Sequence, residues 1–147
     1  MYKHVLMPVD GSDISRSAIK AGIAFSRQLG AKVTAYHALD ASHANVYGEG
    51  AVIDPSLLPA IDQREREVAA RYVAEVGDAA KAAGVEFESM IGRPATHYQG
   101  IIEAAGKAKC DVIFMPSHGR GEFAALLLGS TTQKVLAHSK IPVLVHR

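Results

Sequence analysis

Asp10, within Pro8-Val9-Asp10-Gly11-Ser12, and the stretch from Met115 to Thr131, MPSHGRGEFAALLLGST, carry the residue types in this chain best suited to chemistry on an anion. The longer stretch reads as the end of a buried strand, a glycine-bearing polar turn, a short apolar segment and a helix start at Gly129-Ser130-Thr131. Glycine lets backbone N–H groups approach an anion closely. A new helix aims its unpaired N–H groups and its dipole the same way, so the chemistry would be that of a phosphate cradle. An ordinary strand-to-helix connection uses the same residues, because glycine and serine gather at turns in every fold, and the residues alone leave both readings open. Asp10 offers a carboxylate that can accept hydrogen bonds from ribose hydroxyls or hold a metal through water, and it can equally cap a helix beside Ser12.

Other chemistries find less support. No Gly-Lys-Ser or Gly-Lys-Thr stands at P-loop spacing. Gly119-Arg120-Gly121-Glu122-Phe123-Ala124 fits the loose dinucleotide fingerprint, but no acid follows about twenty residues later to hold a ribose. His4, His37, His43, His97, His138 and His146 are scattered without metal-ligand spacing, and there are no paired carboxylates and no Ser-His-Asp order. His118 stands in a turn with no third group to fix its tautomer. No catalytic residue and no metal ligand is therefore assigned. The lone Cys110 cannot form an internal disulfide, and Asp10, Ser12 and Asp13 break the opening apolar run, so a cytoplasmic protein is expected. No apolar run approaches the ~20 residues that span a bilayer, and a formal net charge of +1 gives no strong field for nucleic acid or membrane. After Glu122 the chain carries no acid but has Lys134, Lys140 and Arg147, a bias that suits an anionic ligand or simply a solvated face.

These residues must be positioned by the elements around them. With 147 residues, 48% of them hydrophobic, the chain is expected to be one domain, 1–147, burying roughly 70% of its unfolded surface. Val5-Leu6-Met7 reads as a buried strand, followed by a helix with Ile14, Ala18, Ala21, Phe25 and Leu29 on one face, capped by Ser12 or Asp13 and closed by Gly30. A second strand spans Lys32 to Leu39. Periodicity then disappears between Asp40 and Pro59, and a helix follows from about Ala60 to Ala83 with Ile61, Val68, Tyr72, Val76 and Ala79 inward and Arg64 to Glu67 mostly outward. Val85 to Ile91 alternates as an edge strand, and Pro94 opens a third helix. Val112 to Met115 is apolar throughout, hence central. Ser130 and Gln133 form a capping box for a fourth helix, and Pro142 to Val145 is the last strand. This alternation is that of an α/β fold, a doubly wound five-stranded parallel sheet with helices on both faces. Placing the two most apolar strands side by side gives the order 3-2-1-4-5 and a crevice at their C-terminal ends, where Asp10 and Ser117-Gly119 emerge.

His118-Gly119-Arg120-Gly121, nine residues between Gly119 and Gly129, then Ser130 and KVLAHSKIPVLV, resemble the C-terminal signature of the universal stress protein family. The opening HVLMPVDGSDISRSAIKAG resembles the same family's first strand and helix, so the resemblance covers nearly the whole chain. The family's nucleotide-binding pattern is Gly, two residues, Gly, nine residues, Gly, then Ser or Thr. This chain supplies Gly119, Gly129 and Ser130, and has Pro116 in the place of the first glycine. The resemblance implies the fold and strand order given above, and a regulatory module of the stress response that binds ATP with Mg²⁺. By position, Pro8, Val9, Asp10 and Ala38 would surround the nucleoside with Met115 and Pro116 beneath it. Ser117 and His118, in the connecting turn, belong to the same nucleotide-binding set, and Gly119, Arg120, Gly129, Ser130 and Thr131 would hold phosphates. The resemblance further implies a homodimer joined through Pro142 to Val145, with a protein partner that the sequence does not name. A nucleotide-independent dimer acting through protein contacts and a slow ATP hydrolase are the alternatives.

Overall fold

The computed structural model describes residues 1–42, 50, 52–118 and 128–147. Strands β1 (His4–Pro8), β2 (Lys32–Ala38), β3 (Phe87–Gly92), β4 (Val112–Pro116) and β5 (Val143–His146) form one parallel sheet in the order β3-β2-β1-β4-β5, the order expected from the sequence. Among the described residues the helices are α1 (Asp13–Leu29), α2 (Leu58–Ala83), α3 (His97–Lys107) and α4 (Ser130–His138).

The period-two geometry of the strands divides the interior into two cores. Val5, Met7, Val33, Ala35, Val112 and Phe114 face α1 and α2, joining Ile19, Ile23, Val73 and Val76. Leu6, Tyr36, Ile113 and Met115 face α3 and α4, joining Ile101, Ala104, Ala105 and Val135. One polar pair lies in the second layer, where His4 Nε2 and Thr34 Oγ1 are 2.7 Å apart and both residues are buried. No helix among the described residues is long and apolar enough to cross a membrane.

Several boundaries differ from the sequence reading. The buried stripe of α1 is rotated towards Ser15, Ile19, Gly22, Ile23 and Ser26, because Ser26 Oγ donates to the Gly22 carbonyl and so sits in the core without an unmet polar atom. A 3₁₀ turn, Pro55–Leu57, capped by Asp54, stands in the stretch expected to lack structure, and α2 starts earlier than expected, at Leu58; residues 43–49 and 51 of that stretch lie outside the described residues. Helix α3 starts at His97 rather than Pro94, since Arg93, just before the proline, is anchored to the Asp40 carbonyl and to acids of α2. Strand β5 runs one residue later than expected, with Pro116 paired to His146. Strand β3 lies at the edge, as its alternation predicts.

Candidate functional site

The two central strands part company early. β1 pairs with β4 at Val5 with Val112 and at Leu6 with Ile113, whereas β1 stays paired to β2 as far as Pro8 with Tyr36, and β4 to β5 as far as Pro116 with His146. A gap therefore opens between β1 and β4 at their C-terminal ends, where the order of connection reverses. Such a gap would leave backbone N–H groups unpaired if ordinary residues lined it. Val9 N donates to the Tyr36 carbonyl and Ser117 N to the His146 carbonyl, so strand alternation turns the nitrogens of Pro8 and Pro116 towards the gap. Neither proline nitrogen carries a hydrogen, so the strands diverge without a stranded donor.

Above the gap lies a cleft of about 580 Å³, within the range of small-molecule sites. Pro8, Val9, Met115 and Pro116 form its floor, and the end of β2 with its following turn, Tyr36 to Asp40, forms one side. Helix α2 adds Ile61, Arg64, Glu65, Val68 and Tyr72, a stripe at helical spacing, while α3 adds His97 and Ile101. His118 and the first turn of α4, Gly129 to Thr132, close the far side.

The Asp10 turn is fixed from within. Asp10 Oδ1 accepts from Ser12 N at 2.9 Å and from Ser12 Oγ at 2.6 Å, and Ser12 Oγ in turn accepts from Ser15 N at 3.2 Å as the N-cap of α1. Asp10 thus braces the cap while lining the cleft. Gly11 at φ +77° makes the turn possible, and a β-carbon there would stand 2.2 Å from Tyr72 Cε1. Tyr72 meets His37 edge-on, with ring centroids 5.2 Å apart at 63°. His37 Nδ1 lies 2.7 Å from the Val9 carbonyl, which can only accept, so the proton is on Nδ1. Gly11, Tyr72, His37 and Val9 are therefore one packed unit joining α2 to the ends of β1 and β2.

The opposite end differs from the expected phosphate cradle in two respects. The capping box does not form: Gly129 is the N-cap, its carbonyl accepts from Gln133 N at 2.9 Å, and the Gln133 side-chain amide donates to the Leu128 carbonyl. The Gly129 N–H is engaged as well, donating to the Ser117 carbonyl at 2.7 Å, while Thr132 Oγ1 donates to the Pro116 carbonyl at 3.0 Å. These two bonds tie the helix start to the end of β4. The amides of Thr131 and Thr132, in the first helical turn, have no intrahelical acceptor and share the positive end of the helix dipole.

The rim is a network of charges. Arg93 Nη2 lies 2.7 Å from Asp62 Oδ1 and 2.6 Å from Glu65 Oε2, and Nη1 donates to the Asp40 carbonyl; Asp40 Oδ1 is 3.0 Å from His97 Nε2. The bond to Glu65 holds the Arg93 guanidinium above its ordinary pKa, and bonds from Arg66 and Arg93 hold Asp62 below the usual carboxylate value. Glu65, expected to face solvent with its neighbours, has a side chain only 16% exposed because Arg93 draws it in. Among the described residues there is no group of three or more His, Cys, Asp or Glu that could hold a metal ion.

Of the residues singled out in the sequence, Pro8, Val9, Asp10, Ala38, Met115, Pro116, His118, Gly129, Ser130 and Thr131 all line the cleft. Ser117 lies buried beneath it, with its hydroxyl 3.0 Å from His118 Nδ1, a partner for that imidazole which the sequence did not reveal. Gly119 and Arg120 lie outside the described residues. The wall from α2, together with His37 and His97, was missed; the apolar spacing of Ile61, Val68 and Tyr72 marked an inward face but could not distinguish core from cleft.

The chain matches the family model described as Universal stress protein family over residues 1–147. It is 34% identical over 150 residues to the Thermus aquaticus "Universal stress protein in QAH/OAS sulfhydrylase 3'region", covering 100% of both chains. The solved structure of MJ0577, a universal stress protein of Methanocaldococcus jannaschii, superposes with a TM-score of 0.80 at 27% identity, covering 99% of this chain and 95% of that one. A universal stress protein crystallised in complex with cAMP superposes with a TM-score of 0.65 at 26% identity, covering 99% and 97%. The fold, the reversal of strand order and the match along the whole length agree: this chain belongs to the universal stress protein family.

Proposed function

We propose that the cleft binds an adenine nucleotide and that its occupancy regulates contacts with other proteins. The observation that carries this reading is the placement of Asp10, the end of β2 and the first turn of α4 around one cavity of about 580 Å³ at the point where strand order reverses. The cAMP complex of a relative 26% identical to this chain supports the ligand class. On this reading Val9, Ala38, His37 and Tyr72 enclose the nucleoside, Asp10 accepts from ribose hydroxyls, and Thr131 and Thr132 present amides to phosphate. ATP is the nucleotide we favour, through the family pattern at Gly119, Gly129 and Ser130. Mg²⁺ would neutralise the ATP phosphates, and with no carboxylate cluster among the described residues, the chain's own contribution to it would be Asp10 acting through water.

The chain is proposed to form a homodimer through β5. This strand ends the sheet with Val143, Leu144 and Val145 half-buried, and its outer edge would pair with its twin across a two-fold axis.

Mg-ATP at a hundredfold excess over Kd should stabilise the fold by about 2.7 kcal/mol, or about 5–10 °C in Tm for a chain of this size. Asp10→Ala should remove most of that rise while lowering the apo stability by about 1 kcal/mol through the weakened cap. The second reading, a dimer indifferent to nucleotide, is favoured by the missing donor at Pro116 and the engaged N–H of Gly129. An unchanged melting curve at millimolar Mg-ATP, with no nucleotide released from freshly purified protein on denaturation, would select it.

A further inference from the structure

The charges lining the cleft are unequally committed. The three carboxylates that line it among the described residues, Asp10, Asp40 and Glu65, each have a partner within the protein: Ser12, His97 and Arg93 respectively. Arg64 is the sole lysine or arginine lining the cleft among the described residues, and it makes no ion pair with any of them. Its neighbours contrast with it. Arg66, two residues on, is bound to Asp62 at 2.9 Å, and Arg93 is bound to Asp62 and Glu65. Glu67, a helical turn from Arg64 and its natural intrahelical partner, instead accepts from Gln63 at 2.9 Å. Arg64 stands on the cleft stripe of α2 between Ile61 and Val68, while the positive end of α4 forms another wall. Among the described residues the uncommitted charge of the cleft is therefore positive and comes from two separate elements.

We propose that Arg64 is an anion-recognising residue of the cleft, taking the phosphate of a nucleotide from the α2 wall in addition to the α4 amides. This rests on the reading of the cleft as a nucleotide site and adds a contact that the glycine pattern does not contain. A planar guanidinium presents paired donors to phosphate oxygens, so the chain regains from α2 what it forgoes at Pro116 and Gly129. The site then prefers charged nucleotides to nucleosides by an amount that depends on Arg64.

The test is titration calorimetry of the unaltered protein, Arg64→Gln and Arg64→Lys with AMP and with adenosine, after circular dichroism has shown all three folded. Arg64→Gln should weaken AMP by about tenfold to a hundredfold, the range of a charge-assisted hydrogen bond, and leave adenosine within about twofold. Arg64→Lys should retain part of the AMP affinity. Loss of AMP affinity by less than about threefold, or equal losses for AMP and adenosine, would overturn the role of Arg64 while leaving the nucleotide reading intact. Failure of the unaltered protein to bind either probe would overturn both.

Discussion

Replacing Gly11 with alanine should destabilise the chain for two separable reasons. At φ +77° an L side chain costs about 1–2 kcal/mol. The added methyl would also stand 2.2 Å from Tyr72 Cε1 and 2.4 Å from its Cζ, so the ring must move, and overpacking of this kind costs about 1–3 kcal/mol. The total is about 2–5 kcal/mol. Gly30 supplies the control, because its φ is +61° and nothing lies within 4 Å of its would-be β-carbon, so Gly30→Ala isolates the backbone share at about 1–2 kcal/mol. Urea unfolding of both variants, followed by circular dichroism, gives the difference directly. A third measurement places Gly11→Ala in a Tyr72→Ala background, where the steric share should vanish and the backbone share remain. If Gly11→Ala costs no more than Gly30→Ala, or costs the same in both backgrounds, then Tyr72 does not rest on Gly11 and the packed unit joining α2 to the ends of β1 and β2 is wrong.

Pro116→Gly restores an N–H that faces the gap between β1 and β4, so Mg-ATP should bind it severalfold more tightly by calorimetry; equal or weaker affinity in a folded variant would show that the proline suits the site. Lysine at both Val143 and Val145 should yield monomers in light scattering at micromolar concentration, and a persistent dimer would locate the interface elsewhere. Burial holds the His4 imidazole below its ordinary 6.5, so as the pH falls below that value the unfolded chain takes up a proton that the folded chain refuses. Stability should therefore fall from about pH 6.5 towards the lowered folded value, and His4→Gln should flatten this part of the urea-midpoint profile; an identical profile would contradict the assignment. Burial pushes the Cys110 thiol up to about 12, so a thiol reagent at neutral pH should label it on the timescale of unfolding, and rapid labelling of native protein would contradict its placement in the core.

The sheet was legible because its signals are local. Unbroken apolar runs mark β1 and β4, and Gly30 and Gly84 close α1 and α2 at φ +61° and +69°, where glycine is the least strained residue. The start of α1, capped by Ser12, was legible too, but the starts of α3 and α4 were harder, since their donors and hydroxyls are claimed by distant groups: Thr132 Oγ1 by Pro116, the Gly129 N–H by Ser117, and the chain before α3 by the hold on Arg93. Asp10 was read from strand ends that any parallel sheet must bring together, whereas Pro8, Val9, Met115 and Pro116 on the floor came from the family resemblance. The α2 wall was not, because the pairing that pulls in Glu65 joins it to a residue 28 positions away, and periodicity gives a helix face without saying what covers it.

Nucleotide binding in the cleft is tested most directly by a titration of ¹⁵N-labelled protein with AMP, followed amide by amide in solution NMR. If the cleft is the nucleotide site, saturable shifts should concentrate at Asp10, His37, Ala38, Thr131 and Thr132, all fitting one Kd, with the far faces of α1 and α3 silent. Shifts absent at millimolar AMP, or gathered away from the gap between β1 and β4, would contradict it.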